Sequence, residues 1–225
     1  MRYIVSPLLA AGLILGATLA LPAHAADKLT VQLDWLPGGD KAVPYVGVQE
    51  GFFAAEGLDV TIAAGRGSSD AITKVATGAA EIATGGIGAL MQAAAEGSVP
   101  VRAVYSVYTK QPDAMFAVKG RGLSTIKALK GHTVATATFS SSNALWPLIL
   151  SLNGLQESEV NLLKVDVGAL APMLASGKVD ATINWVTVAP ATEAVLQQAG
   201  KQLEMVPWSE FGLTGYGLCL FASDR

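Results

Sequence analysis

The feature that most constrains the fold is an alternation of short β-branched apolar runs with longer helix-like stretches. Strands that alternate with helices are typical of parallel sheets covered by helices, because parallel strands need a crossover connection. The chain therefore predicts an α/β fold. The predicted strands are 29–33, 59–62, 81–84, 101–107, 115–118, 133–136, 161–165, 181–185, 204–206 and 217–221, and the predicted helices are 43–56, 69–78, 87–97, 124–130, 142–153, 169–177 and 189–200.

An internal echo indicates that this pattern forms two similar units. VATGAAEIATG and LASGKVDATIN share a helix end, a glycine cap, an acidic residue three positions later and a short strand. We predict two α/β lobes, with residues 26–117 plus 205–225 in the first and 118–204 in the second. The chain would then cross between the lobes twice, near 113–119 and near 205–212, and the cleft between the lobes would bind a ligand by hinge closure.

The N-terminus predicts export from the cytoplasm. Arg2, an apolar run and then Ala23-His24-Ala25 form the three parts of a secretory signal peptide over residues 1–25. A membrane anchor is the alternative, but the small-x-small cleavage site and Pro7 favour removal.

The C-terminus ends on an incomplete pattern. A strand over 217–221 is followed by Ala222-Ser223-Asp224-Arg225, which is an N-cap signal with no helix after it. We therefore expect the first lobe to be incomplete in this sequence.

Composition excludes several classes of partner. The formal charge is −3, with no basic run of the kind that neutralises phosphates, so a nucleic-acid partner is not predicted. Charged residues make up only 15%, and after the signal no apolar run is long enough to span a membrane. A single cysteine, Cys219, provides no internal disulfide framework. These features are typical of a soluble exported protein.

Motifs for catalysis are absent from the sequence. His132, the histidine outside the predicted signal, lies in a turn-like context, and neither HExxH, paired CxxC nor GxSxG occurs. The segment Gly65-Arg66-Gly67-Ser68-Ser69 resembles a phosphate loop but lacks its Gly-Lys-Ser/Thr ending. The sequence therefore predicts no catalytic residue, no metal ligand and no cofactor.

The stretch LDWLPGGDK is the first candidate wall of the cleft. It follows a strand, and open parallel sheets bind ligands at the carboxyl ends of their strands. Trp35 and Tyr45 carry large amphipathic rings that suit stacking on a planar ligand. Asp40 has two alternatives that remain open, an N-cap or a ligand contact.

Two serine-rich helix starts supply further candidates. Ser68 and Ser69 follow a glycine-rich turn in the first half, and Ser140 and Ser141 follow a strand in the second half. A serine run before a helix is usually a cap, but two at equivalent strand ends favour binding. Asn184, Trp185 and Tyr216 complete the predicted wall.

Together these residues resemble a known family. QLDW, YVGVQEGFFAAEGLDV, GRGSSDAITKVATG, KALKGHTVAT and SGKVDATINW are similar to the substrate-binding proteins of ABC importers for nitrate, sulfonate, taurine and thiamine-pyrimidine precursors. The resemblance implies the type II periplasmic-binding-protein fold, a periplasmic location, a monomer, and docking to an ABC permease in the inner membrane.

Departures from the family pattern concern the ligand and the chemistry. Lys41 stands where pyrimidine-binding members typically carry histidine, which suggests an anionic ligand. An enzymatic branch of the family resembles a pyrimidine synthase, but this chain has Gly85 and Ala89 at the corresponding lysine and histidine positions, and Cys219 is all that remains of a cysteine-rich segment. A non-catalytic receptor is therefore predicted. A synthase-like enzyme and a ligand-sensing partner of a membrane receptor are the alternatives.

Overall fold

The computed structural model describes residues 25–97 and 99–224. Nearly all of the predicted signal peptide therefore lies outside the described residues. Two mixed five-stranded sheets, each flanked by helices, make up the architecture. The elements are β1 (Asp27–Gln32), α1 (Ala42–Gln49), α2 (Phe52–Ala55), β2 (Leu58–Ala63), α3 (Ser68–Thr77), β3 (Ile82–Gly86), α4 (Ile87–Glu96), β4 (Val101–Ser106), β5 (Asp113–Val118), β6 (Thr133–Ala137), α5 (Ser142–Leu152), β7 (Asn161–Val165), α6 (Leu170–Ser176), β8 (Ala181–Trp185), α7 (Ala189–Gln198), β9 (Leu203–Pro207) and β10 (Leu218–Ser223).

The two sheets repeat one arrangement. The first has the strand order β2-β1-β3-β10-β4, and the second has the order β7-β6-β8-β5-β9. In each sheet three neighbouring strands are parallel and the fourth strand in the order is antiparallel to both of its neighbours. This repetition agrees with the internal echo, whose two strands are β3 and β8.

The chain passes between the sheets after β4 and again after β9. The predicted lobe boundaries at 117/118 and 204/205 need correction, because they divide β5 and β9. Both strands pair entirely within the second sheet, where β5 lies antiparallel between β8 and β9. The crossings therefore run through residues 107–112 and 208–217.

Two predicted helices differ from the structure for local reasons. The predicted helix 43–56 is divided into α1 and α2, because Gly51 takes a left-handed φ of 73° between them. In place of the predicted helix 124–130 the structure has a short 3-10 segment over Ile126–Leu129. Thr125, which directly precedes it, caps it by accepting a hydrogen bond from the Ala128 N–H.

Apolar packing covers the two sheets unequally. Separate clusters lie on the two faces of the second sheet, one around Trp146 and Trp208 and the other around Phe116 and Leu174. The main cluster of the first sheet lies beneath α3 and α4. Between α1 and the opposite face of that sheet, apolar side chains line a cavity of about 390 Å³.

Within the described residues, no helix combines the length and the apolar character that crossing a membrane requires.

Candidate functional site

A small inner cavity lies between the two sheets. Its volume is about 20 Å³, which is room for a single water molecule, so the two walls are close together. Both sheets contribute to its lining, and most of the contributing segments follow the ends of strands. The lining residues are Asp34, Trp35, Asp40, Lys41 and Ser68 from the first sheet's side and Ser140, Ser141, Asn184, Trp185 and Val188 from the second.

A buried ion pair forms the polar centre of this cavity. Lys41 Nζ lies 2.8 Å from Asp34 Oδ1 and 3.6 Å from Asp40 Oδ2, and Lys41 is only 3% exposed. Thr84 donates a 2.7 Å hydrogen bond to Asp34, which fixes the carboxylate. The Lys41 ammonium has no acceptor aligned for a hydrogen bond among the described residues. Its N–H groups are therefore able to donate to a polar atom of a solute.

Trp185 brings the second sheet onto this pair. Its ring centroid lies 5.1 Å from Lys41 Nζ, within the range of a cation–π contact. Tyr108, from the first crossing, packs edge-on against the same indole with centroids 6.1 Å apart. Burial, followed by the negative charges of Asp40 and Asp34, raises the pKa of the Tyr108 phenol, so it stays a neutral hydroxyl at physiological pH.

A network of buried polar groups supports the wall from behind. Asp113 accepts hydrogen bonds from Ser142 and Gln111, and also from the Trp185 side chain. Ser140 donates a 3.0 Å bond to the Ser142 hydroxyl. Burial raises the pKa of Asp113 to about 6, and the hydrogen bonds only partly oppose this effect.

Close contacts between glycines and the opposite side fix the separation of the walls. A Cβ on Gly67 would lie 2.3 Å from the Phe139 carbonyl oxygen, and a Cβ on Gly86 would lie 2.2 Å from Ser141 Oγ. The Ser69 N–H donates a 3.1 Å hydrogen bond to the same Phe139 oxygen. These contacts join segments on opposite sides of the cleft, so the structure represents a closed arrangement.

An outer cavity of about 510 Å³ adjoins the inner one and shares Trp35, Asp40, Asn184 and Val188 with it. The Pro37-Gly38-Gly39 turn forms one side, and α6 and α7 form the other. This volume lies within the range of small-molecule sites, and the lining is predominantly apolar.

Most of the sequence-predicted wall residues meet at the inner cavity. Trp35, Lys41, Ser68, Ser140, Ser141, Asn184 and Trp185 line it. The other three do not: Tyr45 is 39% exposed on α1, Tyr216 is 59% exposed, and the exposed Ser69 side chain lies away from the cavity. Ser69 contributes only its backbone N–H to the contact between the walls.

Sequence reasoning missed several members of the site. Asp34 is adjacent to the noted Trp35, but only the fold brings its carboxylate onto Lys41. For Asp40 the sequence left an N-cap and a ligand contact open; in the structure its side chain makes no cap hydrogen bond, contacts Lys41 and accepts a 3.2 Å bond from Thr187 in the second half of the chain. Asp113 and Tyr108 belong to no motif, and the one available signal was an acidic residue directly before an apolar strand.

The charge of the inner cavity differs from what Lys41 alone suggests. Among its described lining residues the ionisable side chains are Asp34, Asp40 and Lys41, so two carboxylates face one ammonium and one negative charge is in excess. The ion pair therefore argues against selection of an anion by Lys41, although the anionic ligand stays a prediction. Within the described residues, no cluster of three or more His, Cys, Asp or Glu is arranged to hold a metal ion.

The two sheets, the two crossings and the cleft between them define a type II periplasmic-binding-protein fold, the fold of solute-binding proteins. It matches the alkanesulfonate-binding protein SsuA of Xanthomonas axonopodis pv. citri, solved with MOPS bound, with a TM-score of 0.65 and 19% identity over 88% of this chain and 66% of that chain. The chain belongs to the NMT1/THI5-like family, whose model matches residues 40–225.

Two curated relatives are similar in sequence. A protein of Haemophilus influenzae named for thiamine biosynthesis is 29% identical over 170 residues, 76% of this chain and 54% of that one. The formylaminopyrimidine-binding protein of Halalkalibacterium halodurans is 26% identical over 203 residues, 90% of this chain and 60% of that one. The chain thus spans about half to three-fifths of the length of these relatives.

Proposed function

We propose that this chain is the solute-binding receptor of an ABC importer, exported to the periplasm, which delivers its solute to a permease in the inner membrane. The observation that carries this proposal is the cleft itself. Polar and aromatic side chains from both sheets converge on a cavity that only a closed arrangement of the two walls can form. Closure around a solute is the working motion of such two-lobed proteins.

We further propose that the solute is a small, uncharged, planar nitrogen heterocycle. Trp35 and Trp185 offer aromatic surface for stacking, the Lys41 ammonium offers donors, and the Asn184 amide offers both donor and acceptor groups. The excess negative charge of the lining disfavours a sulfonate or nitrate, since an anion would have to compete with Asp34 and Asp40 for Lys41. The pyrimidine named for the Halalkalibacterium relative belongs to this chemical class.

The synthase alternative has little support at the positions that would carry it. A Cβ on Gly85 would lie 2.5 Å from the Phe221 ring, so a long side chain there would have no room. Ala89 and Cys219 are buried in the apolar cluster beneath α3 and α4. The receptor proposal therefore assigns no catalytic role to these residues.

The proposal is tested by calorimetric titration of the protein with a formylaminopyrimidine, methanesulfonate and nitrate. We expect the pyrimidine to bind and Trp185→Ala to weaken it at least tenfold, because the indole closes one side of the cavity. Tyr216→Ala is the matched control, since this exposed ring lies outside the cavity, and it is expected to leave the affinity unchanged. Binding of the anions alone would reinstate Lys41 as an anion partner, and binding of none of the three would contradict the proposed solute classes.

A deletion strain separates transport from sensing. Loss of solute uptake in the strain supports the importer, whereas uptake that continues while the response to the solute disappears would favour the sensor.

A further inference from the structure

Asp113 occupies an unusual position for a carboxylate. It is the first residue of β5, directly after the first crossing, and it is only 1% exposed. Among the described residues it has no ion-pair partner, and its interactions are hydrogen bonds donated by Gln111, Ser142 and the Trp185 side chain. A buried carboxylate without a countercharge is costly, so such a group needs these donors to remain ionised.

The strand register explains how Asp113 reaches the cavity wall. Asp113 and Trp185 are direct partners on the antiparallel strands β5 and β8, so their side chains emerge side by side on the same face. The hydrogen bond from the Trp185 side chain therefore ties the ring to this strand. The same indole lies over Lys41 Nζ and would contact a Cβ placed on Gly86 at 3.1 Å, so its orientation decides how the walls meet.

Asp113 is also connected to the serines 140–142 at the start of α5, which are called the serine loop. Ser142 donates to the carboxylate, and the Ser140 hydroxyl both donates to Ser142 Oγ at 3.0 Å and accepts from the Ser142 N–H at 3.2 Å. Ser140 and Ser141 line the inner cavity. One carboxylate therefore connects two separate parts of the second wall.

We infer that Asp113 is a positioning residue for the solute site, and that its carboxylate holds the Trp185 indole and the Ser140–Ser142 loop in the arrangement that receives a solute. This inference rests on the proposed binding function, because the wall matters only if a solute contacts it. The ionised carboxylate accepts all three hydrogen bonds, whereas its protonated form is a weaker acceptor. Solute affinity should therefore require the ionised form.

The groups around Asp113 define what else can titrate. Its neighbours are Trp185 on β8, Ser140 before α5, Ser142 at the start of α5 and Gln111 on the crossing, and none of these side chains ionises near neutral pH. The nearest charged groups described in the site lie on the other side of Trp185. Lys41 Nζ lies 5.1 Å from the indole centroid and is paired with Asp34 and Asp40. Because burial raises the pKa of Asp113 to about 6, a change between pH 7 and pH 5 should report this group.

The first test needs no solute. In an NMR spectrum of the indole N–H groups, assigned with Trp185→Phe, we expect the Trp185 signal to shift with pH with a midpoint near 6. The signals of Trp146 and Trp208, whose indole nitrogens have no hydrogen-bond partner among the described residues, should stay constant. Asp113→Asn should abolish the shift, and the exposed Asp166→Asn is the matched control that should preserve it. A Trp185 signal that is insensitive to pH, or equally sensitive in Asp113→Asn, would overturn the inference.

Ser142→Ala provides a second variant that keeps the carboxylate. Loss of this donor removes stabilisation of the ionised form, so the midpoint of the Trp185 shift should move to higher pH. An unchanged midpoint would show that Ser142 does not act through Asp113.

The second test measures affinity for a formylaminopyrimidine at pH 7 and pH 5. If binding requires the ionised carboxylate, the dissociation constant should rise about tenfold at pH 5 in the wild type, and Asp113→Asn should remove this dependence. The same pH dependence in both proteins would overturn the coupling to solute binding. Absence of binding by the wild type at pH 7 would count against the proposed solute instead, while the indole titration still decides the role of Asp113.

Discussion

Lys41 is buried and paired with a carboxylate, so its charge is not free to select an anion. Its ammonium lies 2.8 Å from the Asp34 carboxylate, and the two residues are 3% and 2% exposed. Removal of one member leaves the other charge buried and uncompensated, whereas removal of both takes this charge away and leaves Asp40, whose side chain is 10% exposed. The stability of variants therefore distinguishes a structural ion pair from a free anion-binding lysine.

We expect Lys41→Met to lower the free energy of unfolding by about 3–5 kcal/mol, the usual cost of breaking a buried pair. The double variant Asp34→Asn/Lys41→Met should recover most of that loss, as measured by urea denaturation. Equal destabilisation in the single and double variants would indicate that the pair contributes no coupling.

The ionisation of Asp113 should also appear in folding stability. Its pKa is raised from 3.8 to about 6 in the folded protein, so the folded state binds the proton more tightly than the unfolded state. The resulting stabilisation is fully present below the unfolded value of 3.8 and is lost as pH rises through 6. Between pH 4 and pH 7 we expect wild type to lose about 2 kcal/mol relative to Asp113→Asn. Parallel stability curves for the two proteins in urea denaturation would contradict the raised pKa.

At the scale of elements, the contact between the end of β3 and the serine loop sets how closely the walls approach. Gly86 has a φ of −73°, which any residue can adopt, so a side chain there would cause no backbone strain. Its Cβ would instead clash with Ser141 and approach Trp185 closely. Closure should therefore depend on the absence of a Cβ at this position.

We expect Gly86→Ala to weaken solute binding at least tenfold with a small change in melting temperature, because the added methyl group holds the walls apart. Gly97→Ala is the matched control, since a Cβ there meets no atom within 4 Å. Calorimetric titration and thermal unfolding of both variants check the two effects. Unchanged affinity in Gly86→Ala would mean that the bound state does not use this contact.

Local patterns predicted the elements well and their long-range contacts poorly. Strands and helices follow from apolar periodicity and glycine caps, and loops after strand ends follow from the parallel topology. Tyr45 lies 39% exposed on α1 and does not line the inner cavity, because residue type alone does not show which side of a helix faces the cleft. Asp113 was missed because its role depends on its register with Trp185, which no local pattern encodes.

At the scale of the whole molecule, the internal echo predicted two similar units because each unit needs the same helix–glycine–strand step. The boundaries were less predictable. In the second sheet β5 lies beside β8 and β9 lies beside β5, but a linear pattern does not show which sheet a strand next to a crossing will join. The predicted monomeric state stays a prediction.

The central claim is that a solute bound in the cleft, where the inner and outer cavities adjoin, holds the two walls together, and the Ser69 amide tests it most directly. Ser69 lies in the first turn of α3, where an N–H has no partner within the helix, and it donates instead to Phe139 across the cleft at 3.1 Å. Its hydrogen exchange therefore reports contact between the walls.

The decisive measurement is amide exchange of Ser69 by NMR, with and without a saturating formylaminopyrimidine. The Leu33 amide, which bonds to Ala63 within the first sheet's side, is the internal control. We predict that the solute slows exchange at Ser69 at least tenfold and leaves Leu33 unchanged. Equal exchange at Ser69 with the solute bound and absent would contradict closure of the cleft around a solute.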